Sequence, residues 1–321
     1  MNSANWTEIE NLNAFVSKLN GRGRIKVLNK IQAGRHEIPI YGVVIGTENK
    51  SVPTLGIFGG VHGLERVGSH VVLNHLSTLL SQLAWDQDLQ SLFERFRLVS
   101  IPIVNPGGMV LNQRSNPRGV DIMRNAPVEA VGDLQPLVSG HRISNSLPWF
   151  RGHENEPMEI ETQSLVDFVK EEMLGSQFSI ALDIHSGFGM RDRLWYPYSK
   201  TKEDFPYKPL VQKMISTMDA TLPFHIYKIE PQATSYMIHG DPWDYLFDFH
   251  MEKYAADGRV FIPWCLEMGS WTWLKKNPRQ LFYRGGIFNP ILPHRYGRIM
   301  RRHKPLLDFL KSAVINFKNW T

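Results

Sequence analysis

The sequence predicts an α/β fold, a three-layer α/β/α sandwich around a mixed, largely parallel twisted sheet. Two observations lead to it. Short β-branched apolar runs alternate along the chain with segments of helical periodicity. Several of those runs are apolar almost without interruption, as in strands covered on both faces, rather than alternating apolar and polar.

The strands are expected at 37–46 (EIPIYGVVIG), 54–59 (TLGIFG), 97–104 (RLVSIPIV), 178–184 (FSIALDI), 224–229 (FHIYKI) and 259–267 (RVFIPWCLE). Helical spacing of apolar residues places helices at about 65–83, 161–174, 208–220, 242–254 and 303–317. Near the N-terminus, Ile9, Leu12, Val16 and Leu19 also fall at helical spacing. With Glu8 and Glu10 interrupting, that segment reads as an amphipathic helix rather than a signal peptide. Residues 105–157 are rich in Pro, Gly, Asn and Arg and lack periodicity, so they are expected to form an ordered loop over the active site. No linker divides the chain, and residues 1–321 are expected to form one domain.

Composition narrows the function classes. Of 321 residues, 42% are hydrophobic and 21% charged, as in ordinary globular proteins. No apolar stretch is long enough for a membrane span. Cys265 is the one cysteine, so no disulfide can form within the chain, and a reducing, cytoplasmic location is expected. The net charge of +5 raises a nucleic-acid reading. The basic residues are scattered, however, except for Arg295, Arg298, Arg301, Arg302, His303 and Lys304, which read as a solvated helix face. No nucleic-acid or membrane partner is expected, and the oligomeric state is not legible.

The chemistry concentrates at strand ends. His62 and Glu65 follow the strand ending at Gly59, His185 ends the strand SIALDI, and Glu267 ends the strand VFIPWCL. Three strands thus deliver four ionisable side chains to the edge where open α/β sheets bind ligands. Gly59, Gly60 and Gly63 permit the tight path that lets His62 and Glu65, three residues apart, converge. A catalytic zinc takes three protein ligands and keeps a fourth position open, and it lowers the pKa of water there toward 7. A lone His-x-x-Glu is common, and Glu65 could merely complement a helix dipole. His185 alone would read as a core histidine. Glu267 on an apolar strand is harder to dismiss, because burying an unpaired carboxylate is costly.

The ordered series HGLE, NPGG, GVDIMRN, DIHSG, SYMIHGDPWDY and CLEMGSW resembles the zinc carboxypeptidases of the carboxypeptidase A type, especially compact bacterial members. The resemblance covers roughly residues 55–270. It implies one zinc per chain, held by His62, Glu65 and His185, with Glu267 as the general base. It further implies that Asp121 orients a zinc histidine, that Arg114 stabilises the oxyanion, that Arg124 grips the terminal carboxylate and that Tyr236 is a mobile substrate-binding tyrosine.

Two positions depart from the family pattern. Met123 stands where an asparagine usually helps hold the carboxylate, and methionine offers only a weak acceptor. Trp243 falls where the family places the base of the pocket for the terminal side chain, and ordinary core packing is the alternative reading of it. His70, His75 and His239 are expected to be structural or surface residues. The resemblance implies a metallocarboxypeptidase acting on a peptide or acyl-amino-acid substrate that bears a carboxylate. Met123 keeps open a murein-peptide amidase or an N-acyl amino acid deacylase on the same zinc site. An inactive binding protein of the same fold is the third reading.

Overall fold

The computed structural model describes residues 6–19, 21–283 and 285–321. Among these, eight strands form one mixed sheet in the order β1-β2-β4-β3-β5-β8-β6-β7. The elements run α1 (Thr7–Lys18), β1 (Arg24–Ala33), β2 (His36–Gly46), β3 (Thr54–Gly59), α2 (Arg66–Gln82), α3 (Gln87–Leu92), β4 (Arg97–Ile101) and α4 (Pro106–Leu111). After a long irregular stretch come α5 (Ile160–Glu172), β5 (Phe178–Ser186), β6 (Arg193–Tyr196), α6 (Lys208–Thr221), β7 (Lys228–Pro231) and α7 (Pro242–Lys253). The chain closes with β8 (Val260–Met268), α8 (Trp271–Lys276), α9 (Pro293–Arg302) and α10 (Lys304–Ile315).

The central strands β4, β3, β5 and β8 are parallel, whereas β1, β2 and β6 join through antiparallel pairings. Every residue of β3, β4 and β5 is buried, which explains their largely apolar, non-alternating sequences. Helices cover both faces. Trp264 of β8 lies with Leu306 and Leu310 of α10, while Asp183, in register with the neighbouring Cys265, meets Trp243 of α7. Successive strand residues point to opposite faces, so α10 and α7 lie on opposite sides of the sheet. The α1 helix forms as expected, with Ile9, Leu12 and Leu19 buried.

Four expectations are corrected. The strand foreseen at 224–229 lies at Lys228–Pro231, and Phe224 is 94% exposed. The strand at 97–104 stops at Ile101. Residues 105–157 are not wholly irregular, because Asn105 caps α4 through Gly108 N at 2.7 Å. The basic run forms α9 and its junction with α10, yet His303 is buried and its Nδ1 lies 3.0 Å from the Tyr227 hydroxyl.

No described helix is long and apolar enough to cross a membrane. His70 reaches Glu8 of α1 at 3.2 Å, His75 is half-buried and His239 contacts Glu129 at 2.7 Å, away from the cluster described next.

Candidate metal centre

β3, β5 and β8 run side by side in parallel and end at one edge. His185 and Glu267 sit directly opposite each other in the β5–β8 register. The turn after β3 carries His62 and Glu65 to the same edge. Its path depends on close backbone approach: a Cβ on Gly63 would lie 2.2 Å from the Gly108 carbonyl carbon. One turn into α2, a Cβ on Gly68 would lie 2.3 Å from Ile184 O, so glycine there lets the helix start seat against β5. Asn105 steadies the turn by donating to Val61 O at 3.3 Å.

His62, Glu65 and His185 are all buried, and one ligand atom from each lies within 4.8 Å of the others. Glu65 is the N-cap residue of α2, but its side chain does not cap the helix. Instead its Oε2 lies 3.1 Å from His185 Nδ1 and accepts from Ser186 N–H at 3.0 Å. The donor set of two imidazoles and one carboxylate suits zinc. His62 Nδ1 is buried without a hydrogen-bond partner, as a nitrogen available to a metal would be.

Arg114 lies against this cluster from the irregular stretch. It donates to Asp121 Oδ2 at 3.0 Å and Glu65 Oε1 at 3.1 Å, and its Nη2 lies 2.8 Å from His62 Nε2. Asp121 Oδ1 lies 3.7 Å from His62 Nδ1, and the same oxygen caps Met123 N–H. Burial and then the Arg114 guanidinium push His62 down to about 3, so its ring is neutral. His185 is raised well above its usual value: against the lowering effect of burial, Asp183, whose Oδ2 is 2.7 Å from Nε2, and Glu65 together favour the protonated ring. Metal binding at His185 Nδ1 would therefore displace a proton. Asp121 is held well below the usual carboxylate range by Arg114, against its burial.

Glu267 is 7% exposed and accepts from Phe188 N–H at 3.0 Å. Burial and then the Glu65 carboxylate push it up to about 8. A bound dication would pull it back toward the ionised form. A buried carboxylate with so little compensation is destabilising, which marks Glu267 as a candidate for chemistry rather than for packing.

His62, Glu65, Arg114, His185 and Glu267 open on one cavity of about 790 Å³. Arg124 and Met123 line it, as do Phe188, Trp195 and Tyr236, whose rings pack at 5.3–5.7 Å between centroids. Arg124 is 3% exposed and donates to Val138 O at 3.3 and 3.1 Å. Trp149, another wall residue, holds a φ of 66°, strained for so bulky a side chain. Trp243 is not part of the cavity wall. Its indole donates to Asp183 Oδ2 at 2.8 Å and its ring packs 5.1 Å from Phe58, so it supports the partner of His185 instead of forming a pocket base.

Sequence reasoning missed Asp183 and Asn105. Asp183 carried the signal already applied to Glu267, an acid on an apolar strand, and its i, i+2 spacing puts it on the face of His185. Asn105 carried an N-cap signal before Pro106.

The fold and this cluster define a candidate mononuclear metal centre at the parallel edge of an α/β sandwich. The chain belongs to the zinc carboxypeptidase family, which matches residues 26–255, and membership implies zinc. Glu267 lies beyond the matched segment. Bovine thrombin-activatable fibrinolysis inhibitor, solved in complex with tick carboxypeptidase inhibitor, is similar in fold, with a TM-score of 0.66 at 14% identity over 97% of this chain and 96% of that one. Carboxypeptidase A from Helicoverpa armigera gives 0.66 at 17% identity over 95% and 71%. A metallo-carboxypeptidase from Burkholderia cenocepacia gives 0.58 at 13% over 97% and 69%. No curated protein sequence matches the chain.

Proposed function

We propose that this chain is a zinc-dependent metallocarboxypeptidase that hydrolyses a C-terminal peptide or peptide-like amide bond. The observation that carries the reading is the facing of Glu267 and His185 across two parallel strands, beside His62 and Glu65. The zinc would supply a Lewis acid and a nucleophilic water at neutral pH. Glu267 takes a proton from the attacking water and returns it to the leaving amine. Arg114 directs N–H donors at the oxygen on which charge develops. Arg124 binds the substrate carboxylate through its planar guanidinium, and Tyr236 closes on the bound chain from the aromatic wall.

Met123 favours a second reading. Its buried thioether in the cavity wall offers no strong donor to a carboxylate. An amidase or deacylase that needs less grip on a free C-terminus would tolerate it. Turnover of matched free-acid and amidated dipeptides separates the two. The carboxypeptidase reading expects a strong preference for the free acid. It also expects Arg124→Ala to raise KM by about tenfold or more with little change in kcat, since that contact exists in both bound substrate and transition state. Met123→Asn should tighten binding of free acids only. Equal hydrolysis of both substrates would replace the carboxypeptidase reading with the amidase one.

A further inference from the structure

The segment after α8 crosses back over the metal centre, and its contacts are specific. Asn289 Oδ1 accepts from Val67 N–H at 2.9 Å, and its Nδ2 donates to Leu64 O at 2.7 Å and Gly285 O at 3.0 Å. Leu64 and Val67 bracket Glu65 in the chain. Next to it, Phe288 O accepts from the Ser186 hydroxyl at 2.8 Å, one residue past His185. The Phe288 ring lies against Gly187, where a Cβ would come within 2.8 Å of it. Gln280, fully buried, donates to Asn289 O at 2.6 Å and holds the segment in this seat.

The first N–H groups of a helix have no partner within it and are usually met by the N-cap side chain. In α2 that residue is Glu65, whose carboxylate is turned to His185 and Ser186 instead. The cap is supplied from more than two hundred residues away, by Asn289. We propose that Asn289 is a positioning residue of the metal centre: it replaces the missing N-cap of α2 and, with Phe288, locks the Glu65 turn to the end of β5, so that the carboxylate stays free to bind metal. This rests on the zinc reading above and adds to it a residue that touches neither metal nor substrate. Groups that orient metal ligands commonly govern affinity by about 10–100-fold.

Zinc affinity, measured by competition with a chromophoric chelator, tests it. Asn289→Ala is expected to weaken zinc binding by about tenfold or more. Ser186→Ala removes only the bond to Phe288 and should weaken it severalfold, and it serves where Asn289→Ala does not fold. Leu310→Ala, where α10 packs with Trp264 of β8, is the control for general destabilisation and should leave zinc affinity at the wild-type value. Wild-type affinity in both site variants, or an equal loss in Leu310→Ala, overturns the proposal. A wild-type chain that binds no zinc would instead sink the reading on which it rests.

Discussion

Glu267→Gln is expected to lower kcat by about 10²–10⁴-fold while zinc stays bound, the range typical of a positioned acid–base group. The substitution keeps the size of the side chain and an oxygen for the Phe188 N–H, which Glu267 now engages at 3.0 Å. It removes only the ability to take a proton. Glu267 is not one of the three clustered ligand residues, so metal content should be unchanged. The replacement should not cost stability, because a neutral amide suffers less from burial than a carboxylate beside Glu65. Steady-state kinetics on a blocked dipeptide, paired with metal analysis, makes the check. A loss smaller than about tenfold would remove Glu267 from the role of general base.

Arg114→Ala is expected to lower kcat by about 10²–10³-fold, the typical cost of losing one oxyanion donor, with a much smaller change in KM. Its guanidinium lies 3.1 Å from Glu65 and 2.8 Å from His62 Nε2, so it abuts the cluster at which the scissile carbonyl would bind. The same contacts predict the sign of the effect on metal. Removing a cation from beside the ligand set favours a dication, so zinc affinity should hold or rise. Loss of the ion pair to Asp121 leaves a buried carboxylate without its main partner, so a lower melting temperature should accompany the kinetic defect. A variant in which KM rises and kcat is untouched would show Arg114 to be a ground-state binder instead.

Much of the architecture was legible because the central strands announce themselves. TLGIFG and SIALDI are largely apolar without a regular apolar–polar alternation, the pattern of a strand buried on both faces. The edge elements were not legible for the converse reason. β1 has a mixed burial pattern with a half-buried Lys26 and an exposed Lys30, and β6 is four residues long, too short for any periodicity. β7 was displaced because the apolar FHIY segment resembles a strand, yet it carries the exposed Phe224 beside an open cavity.

At the site, His62, Glu65, His185 and Glu267 could be read from their positions just after or at the ends of predicted strands, and the structure brings them together. Asp121, Arg114 and Arg124 come from an irregular stretch whose path no pattern predicts, and the ordered family motifs were needed to single them out. Trp243 shows where motif position leaves two readings open: spacing within SYMIHGDPWDY allows a pocket base or core packing, and its indole turns to Asp183 in the core. Asn289 lay outside every motif, since its role arises from a contact between segments distant in sequence.

The central claim is that His62, Glu65 and His185 form a zinc site, and elemental analysis of the purified protein tests it most directly. The three-ligand arrangement predicts about one zinc per chain in the wild type and essentially none after His62→Ala and His185→Ala are combined. Full zinc occupancy retained in that double variant, or a wild-type chain that takes up no zinc, would contradict it.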